Sequence, residues 1–174
     1  YYVDDLGKQV GMLAWALDNL TSDEVRKVLE ADGRSSEVDA RWVGKADHER
    51  VLWYQAANHL SSEQGKGDDT HSESLLERDL PDIGQAVERL ILGSEMGDEA
   101  VLSSFDTAYK PVLDGMLETL QRMGVSFDVF THESTFLHNG DVDQVVERLK
   151  ESDLAGMAEN GALFLELSEH GVSG

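Results

Sequence analysis

Tyr1-Tyr2-Val3-Asp4-Asp5-Leu6-Gly7-Lys8-Gln9 opens the chain and changes character within a few residues. Tyr1 to Asp5 is aromatic and β-branched, which suits the end of a strand running into a turn. From about Gly7 to Leu20, Val10, Leu13, Ala14, Leu17 and Leu20 recur at helical spacing. A strand end delivered straight into an amphipathic helix predicts an α+β segment.

Helical signals dominate the rest of the chain. Thr21 and Glu24 stand at capping-box spacing, with the Thr hydroxyl and the Glu carboxylate each able to satisfy one free amide. Val25, Val28 and Leu29 then form a short amphipathic helix that stops near Asp32-Gly33. Residues 34–45 carry only a weak pattern. Ala46 to Leu60 reads as a helix, and the polar run from Ser61 to Ser72 as a surface loop or mobile linker. A further helix is expected from Pro81, placed at its first position, to Leu92.

Asp98 to Met123 is the longest helical stretch, with a kink or break expected near Tyr109-Lys110 because Pro111 lacks an amide donor. Val112, Leu113, Met116, Leu117, Leu120 and Met123 are expected to form a buried stripe, and Gly124 to end the helix in a left-handed conformation. Val125 to Thr131 alternates as a strand. Asp141 should cap a helix together with Gln144, with Val142, Val145, Val146 and Leu149 on one face. Asn160-Gly161 marks a hairpin turn into a strand over Ala162 to Leu167.

Charge is the strongest global signal. Asp and Glu number 35 against 14 Lys and Arg in 174 residues, a formal net charge of −21. Phosphate-binding surfaces normally rely on Lys and Arg, so the sign points away from an electrostatic nucleic-acid binder. Two readings compete: an acidic interaction module, or a halophilic surface whose self-repulsion is screened by salt. Acid spread along the whole chain, few lysines, and isoleucine only at Ile83 and Ile91 favour the halophile.

Hydrophobic residues make up 40% of the chain, enough for a folded core, and cysteine is absent. No apolar run approaches the ~20 residues of a membrane span, and no signal-peptide pattern opens the chain, so a soluble protein is expected. The first and last residues both read as cuts within a longer polypeptide. His48, His59, His71, His132, His138 and His170 are scattered, without metal-ligand spacing. Asn139 to Glu147 lacks the glycine and the late glutamate of a calcium loop. Trp15, Trp42, Trp53 and Tyr54 read as core, with nucleotide stacking as the competing role.

Four blocks, in order, resemble the arginyl-tRNA synthetase family. Tyr2, Asp5, Gly7 and Gln9 fill a Tyr-x-x-Asp-x-Gly-x-Gln pattern. Leu120 to Asp128, running into Glu133-Ser134, is similar to the family's helix, Gly-Val-x-Phe-Asp strand and Glu-Ser pair. Val142 to Lys150 and the hairpin Glu159 to Leu167 complete the series. The resemblance covers roughly 1–20 and 98–170, with little match over 34–95.

Membership would imply a class I synthetase that joins arginine to its tRNA using ATP with magnesium, on a Rossmann-type catalytic domain. Residues 1–20 would then be the edge of that fold. Residues 21–97 would be a helical, variable insertion with a flexible loop near 61–73, and 98–174 the connective helix, strand, helix and hairpin. The whole is expected to be helix-rich α+β. The His-x-Gly-His-like motif, the guanidinium-reading segment and the Lys-rich loop do not occur in this chain, so the resemblance places the first before Tyr1 and the others after Gly174.

No catalytic or metal-ligating residue is assigned, and no cofactor is expected within the chain itself. By resemblance, Tyr2, Asp5, Gly7 and Gln9 border the active site, with Asp5 and Gln9 available to substrate or the tRNA acceptor end. Their structural alternative is a strand-to-helix turn in which Asp5 caps the helix and Gly7 permits the bend. Glu133 and Ser134 are weaker candidates. The expected partners are tRNA, arginine and ATP, with no membrane, in a cytoplasmic monomer. The rival is a free-standing acidic helical interaction module.

Overall fold

The computed structural model describes residues 1–65, 76–168 and 171. The chain forms two compact units, Tyr1–Glu133 and Ser134–Gly174.

The first unit begins with β1 (Tyr2–Val3), followed by helices α1 (Lys8–Asn19), α2 (Ser22–Ala31), α3 (Ala46–Gly65), α4 (Ile83–Glu95) and α5 (Glu99–Arg122). It ends with β2 (Thr131–His132). The expected helix-rich α+β class is observed. Helix α1 is central and packs against α3, α4 and α5. Residues Val10 to Ala16 are all buried, as befits a helix that is apolar on most sides. Gly11 permits close approach: a Cβ there would lie 3.3 Å from Val87 and 3.5 Å from the Phe105 ring. Val28, Leu29, Leu60, Ile83, Val87 and Phe105 complete the core.

Local chemistry sets the helix ends. The Thr21–Glu24 capping box forms as expected, and Arg78 reinforces it from a distance, donating to Glu24 at 2.6 Å and to the Asn19 carbonyl. Helix α3 runs on to Gly65, so residues 61–65 of the anticipated loop are helical, and the remainder lies outside the described residues. The Gln64 side chain then bridges forward, accepting from the Ile83 amide at 3.0 Å and donating to the Pro81 carbonyl at 3.2 Å. Pro81 is therefore not the first helical residue. Asp82 caps α4, because its carboxylate accepts from the Gln85 amide at 2.8 Å and Pro81 has no side-chain acceptor.

Helix α5 differs from expectation in two ways. It continues through Pro111 as one helix; packing against α1, α3 and α4 outweighs the single missing donor. The stripe on its second half is not buried within this unit: Val112, Leu113, Leu117 and Leu120 are half-buried, Met116 is exposed, and Met123 is 65% exposed. The end is as expected. Gly124 adopts φ 75°, and the amides of Gly124 and Val125 bond the carbonyls of Gln121 and Leu120.

The alternating run from Val125 forms a strand only at Thr131–His132, where it pairs in parallel with β1. A strand needs a partner edge, and β1 offers two residues. Val125 to Phe130 is irregular, held by the Tyr1 nitrogen, which donates to the Val129 carbonyl, and by the Tyr1 ring, tilted 55° to that of Phe127 with centroids 4.9 Å apart.

Helix α6 (Glu133–His138) begins at the boundary. In the second unit, α7 (Asp141–Lys150) is followed by an antiparallel hairpin of β3 (Ala155–Met157) and β4 (Leu163–Leu165). Asp141 is the first helical residue rather than the cap; Gly140 occupies that position in a left-handed conformation, and Asn139 accepts from the Asp141 amide at 2.9 Å. In the hairpin turn only Gly161 uses positive φ, while Asn160 accepts from the Ala162 amide. The Phe164 ring covers Gly156 on the facing strand, where any Cβ would overlap it.

Candidate functional site

The turn between β1 and α1 determines where the motif residues go. Val3 is buried beneath the sheet, so its neighbour Tyr2 faces outward and is 56% exposed. The chain bends at Gly7, whose φ of 105° and ψ of −177° suit glycine. Gly7 is the cap position of α1, and no side chain caps this helix. Asp5 therefore does not cap it. Only 6% exposed, Asp5 directs Oδ2 toward His132 Nδ1 at 3.1 Å.

Tyr2 and Gln9 line a cleft of about 440 Å³. One wall is α3, with Asp47, Arg50, Val51 and Tyr54; the other is α5, with Tyr109, Val112, Leu113 and Met116. Val10 and Leu13 of α1 lie between them. Asp5 and Gly7 are not among the lining residues, and instead shape the turn that places Tyr2 and Gln9. The two walls are tied by Lys45, which is buried and donates to Asp47 at 2.6 Å and to the Gly115 carbonyl at 2.7 Å. Gly115 is required there, because a Cβ would overlap the Asp47 carboxylate. The other Asp47 oxygen, Oδ1, is buried without a hydrogen-bond partner among the described residues.

The end of the cleft near β1 is acidic. Burial, and then the charges of Asp106 and Asp5, push the Tyr109 phenol up to about 12. Loss of water contact, and then Glu133, Asp4 and Asp5, also raise the Tyr2 phenol. Burial raises Glu133, with further contributions from a hydrogen bond to Asp4 and from the charges of Asp4 and Asp5. Phenols held neutral beside carboxylates form a donor-and-acceptor surface suited to polar, uncharged or cationic groups. Arg50 is the cation on the α3 wall.

No family model matches the chain, and no solved structure matches it. Curated proteins do. The arginine–tRNA ligase of Methanocella arvoryzae is 33% identical over 172 residues, 99% of this chain and 25% of the ligase. That of Methanococcoides burtonii is 29% identical over 171 residues, 98% of this chain and 24% of the ligase. The Haloquadratum walsbyi ligase is 29% identical over 172 residues, again 99% and 25%. The chain is a homologue of one segment of the arginine–tRNA ligases. It spans about a quarter of the length of the curated relatives it matches.

This similarity to the ligases runs through residues 34–95 as well, where the residue patterns alone showed little likeness. The ligase-related segment brings Tyr2 and Gln9 to one cleft and Glu133 close to Tyr2 in charge, while Ser134 belongs to the second unit. Sequence reasoning missed His132, Tyr109, Lys45 and Asp47. His132 was one of six dispersed histidines, and nothing local signals a partner 127 positions away. Among the described residues, no cluster of three or more His, Asp or Glu is arranged to hold a metal ion. Trp15 lies in the core, and Trp53 and Tyr54 pack against it. Trp42 does not, and is half-buried.

Proposed function

We propose that this chain works as part of an arginine–tRNA ligase, in which ATP drives the attachment of arginine to its tRNA. The observation that carries this reading is 33% identity to such a ligase across 99% of the chain. In this reading, residues 1–20 form the edge of a Rossmann-type domain, 21–97 a helical insertion, and 98–174 the connective region. The parallel β1–β2 pair supports that placement. Two paired residues per strand are too few to be stable alone, whereas parallel strands normally sit inside larger covered sheets. Tyr2 and Gln9 then face substrate or the acceptor end of tRNA, and Asp5 and Gly7 hold the turn that presents them.

The phosphate- and guanidinium-binding motifs of the family do not occur in these 174 residues. The isolated chain should therefore show no arginine-dependent exchange between ATP and pyrophosphate, and clear exchange would overturn the reading. ATP, magnesium, arginine and tRNA are partners of the whole ligase, working in the cytoplasm. The decisive experiment substitutes this chain for the matching segment of a full-length relative. Restored charging of tRNA is expected; a folded chimera that cannot charge tRNA, while its parent can, refutes the assignment.

The net charge of −21 supports a halophilic source. At ~1 M salt the Debye length is about 3 Å, and repulsion between carboxylates is largely screened. Circular dichroism should show helix lost on dilution to millimolar salt. Helix content indifferent to salt would remove this part of the proposal.

A further inference from the structure

Helix α7 is amphipathic, yet its apolar face is left open. Val142, Val145, Val146 and Leu149 form one stripe by their i, i+3, i+4, i+7 spacing. Val142 is 38% and Val145 55% exposed, while Val146 and Leu149 are half-buried. Among the described residues of the second unit, none is buried. Isolated helices shorter than about 12–15 residues are marginal in water, and α7 has 10. Its stability must come from a surface that covers the stripe.

Size and charge select that surface. Ten residues rise about 15 Å on a helix roughly 10 Å across, so one face offers on the order of 150 Å². A separate protein or a second copy of the chain needs about 800 Å² per partner for a stable interface. The stripe alone falls far short. A segment of the same polypeptide docks at high effective concentration without that association cost, so a small face suffices. The rim carries Asp141 and Asp143 in the first turn and Arg148 and Lys150 in the last. With no excess of base, it does not suit an anionic lipid surface. In the ligase relatives, about three quarters of the length lies outside the matched segment.

We propose that the Val142–Leu149 stripe of α7 is an intramolecular docking surface, covered by an apolar patch of the ligase polypeptide outside these 174 residues. The choice of occupant rests on the ligase reading above; the open stripe does not.

The chain contains no cysteine, so one introduced thiol reports one position. Val145→Cys lies on the stripe and Gln144→Cys on the opposite face. Each is made in the 174-residue chain and in the segment-exchange chimera, and maleimide labelling of the peptide carrying that position is followed by mass spectrometry. In the isolated chain both should label fast, dilute or concentrated. In the chimera Val145→Cys should label about tenfold slower or more, and Gln144→Cys at an unchanged rate. Val145→Asp should lower the melting temperature of the chimera and leave that of the isolated chain unchanged. This second variant keeps the test informative if the thiol chimera fails to fold. Fast labelling of Val145→Cys in the folded chimera, equal slowing at both positions, or an unchanged melting temperature of the Val145→Asp chimera overturns the proposal. Slow labelling of Val145→Cys in the isolated chain also overturns it, because the stripe would then be covered within the chain or by a second copy. Charging by the unsubstituted chimera reads out separately. Charging with fast labelling at position 145 removes only this surface; slow labelling without charging removes only the ligase reading.

Discussion

Asp5 Oδ2 and His132 Nδ1 stand 3.1 Å apart although 127 positions separate them in the chain. The parallel register Val3↔His132 brings them together, and Tyr109 closes the group with its ring 6.3 Å from that of His132. The contact joins the turn carrying the motif residues to the far end of the same unit. His132→Ala should lower stability by about 1–3 kcal/mol, toward the low end because the imidazole is partly exposed. Urea denaturation checks this, and an unchanged midpoint would show that the pair contributes nothing.

Lys45 is a buried cation between the two walls of the cleft, with Asp47 and the Gly115 carbonyl as partners. Lys45→Met strands the Asp47 carboxylate and should cost about 3–5 kcal/mol. Lys45→Met with Asp47→Leu should recover most of the loss, since two apolar groups replace an ion pair. A double variant as unstable as the single one would contradict this account. Gly115→Ala should also destabilise, despite the higher helix propensity of Ala, because the methyl group overlaps Asp47.

Glu24 carries a pH dependence. The hydrogen bond from the Arg78 guanidinium, and then those from Thr21, hold its carboxyl at about 2, against an ordinary value of 4.5. The unfolded chain therefore takes up this proton first. The stabilisation is complete above the ordinary value and is lost as pH falls toward about 2. Urea midpoints of the parent and Glu24→Gln should differ above pH ~4.5 and converge below it. Parallel curves across that window would exclude the coupling.

Tyr109 should be the last phenol to ionise. Burial and the nearby Asp106 and Asp5 charges raise it to about 12. Alkaline titration followed by tyrosinate absorbance should lose its latest component in Tyr109→Phe. If that component persists, Tyr109 does not occupy the acidic end of the cleft as described.

Local features were legible in the residues themselves. Thr21 with Glu24, Gly124 after Met123, and Gly161 in the hairpin each act within a few positions, and each behaves as its chemistry dictates. Pro81, Pro111 and Asp141 were misread for one shared reason. Each has a neighbour or a packing partner that wins: Asp82 as the better cap, the surrounding helices, and Asn139 reaching forward. The strand anticipated over Val125 to Thr131 shows the same limit, because alternation states which face a strand would bury and not whether a partner edge exists.

From the order of residues alone come the helices, their turns, the excess of acid, and the likeness to one synthetase family, because periodicity, capping and motif spacing act over short distances. Tertiary structure alone decided which of those residues meet. Only chain folding brings Asp5 to His132, Lys45 to Gly115, and Arg122 to Trp42. The physical reason is that long-range contacts depend on how buried helices pack around α1, a collective outcome that no short stretch encodes.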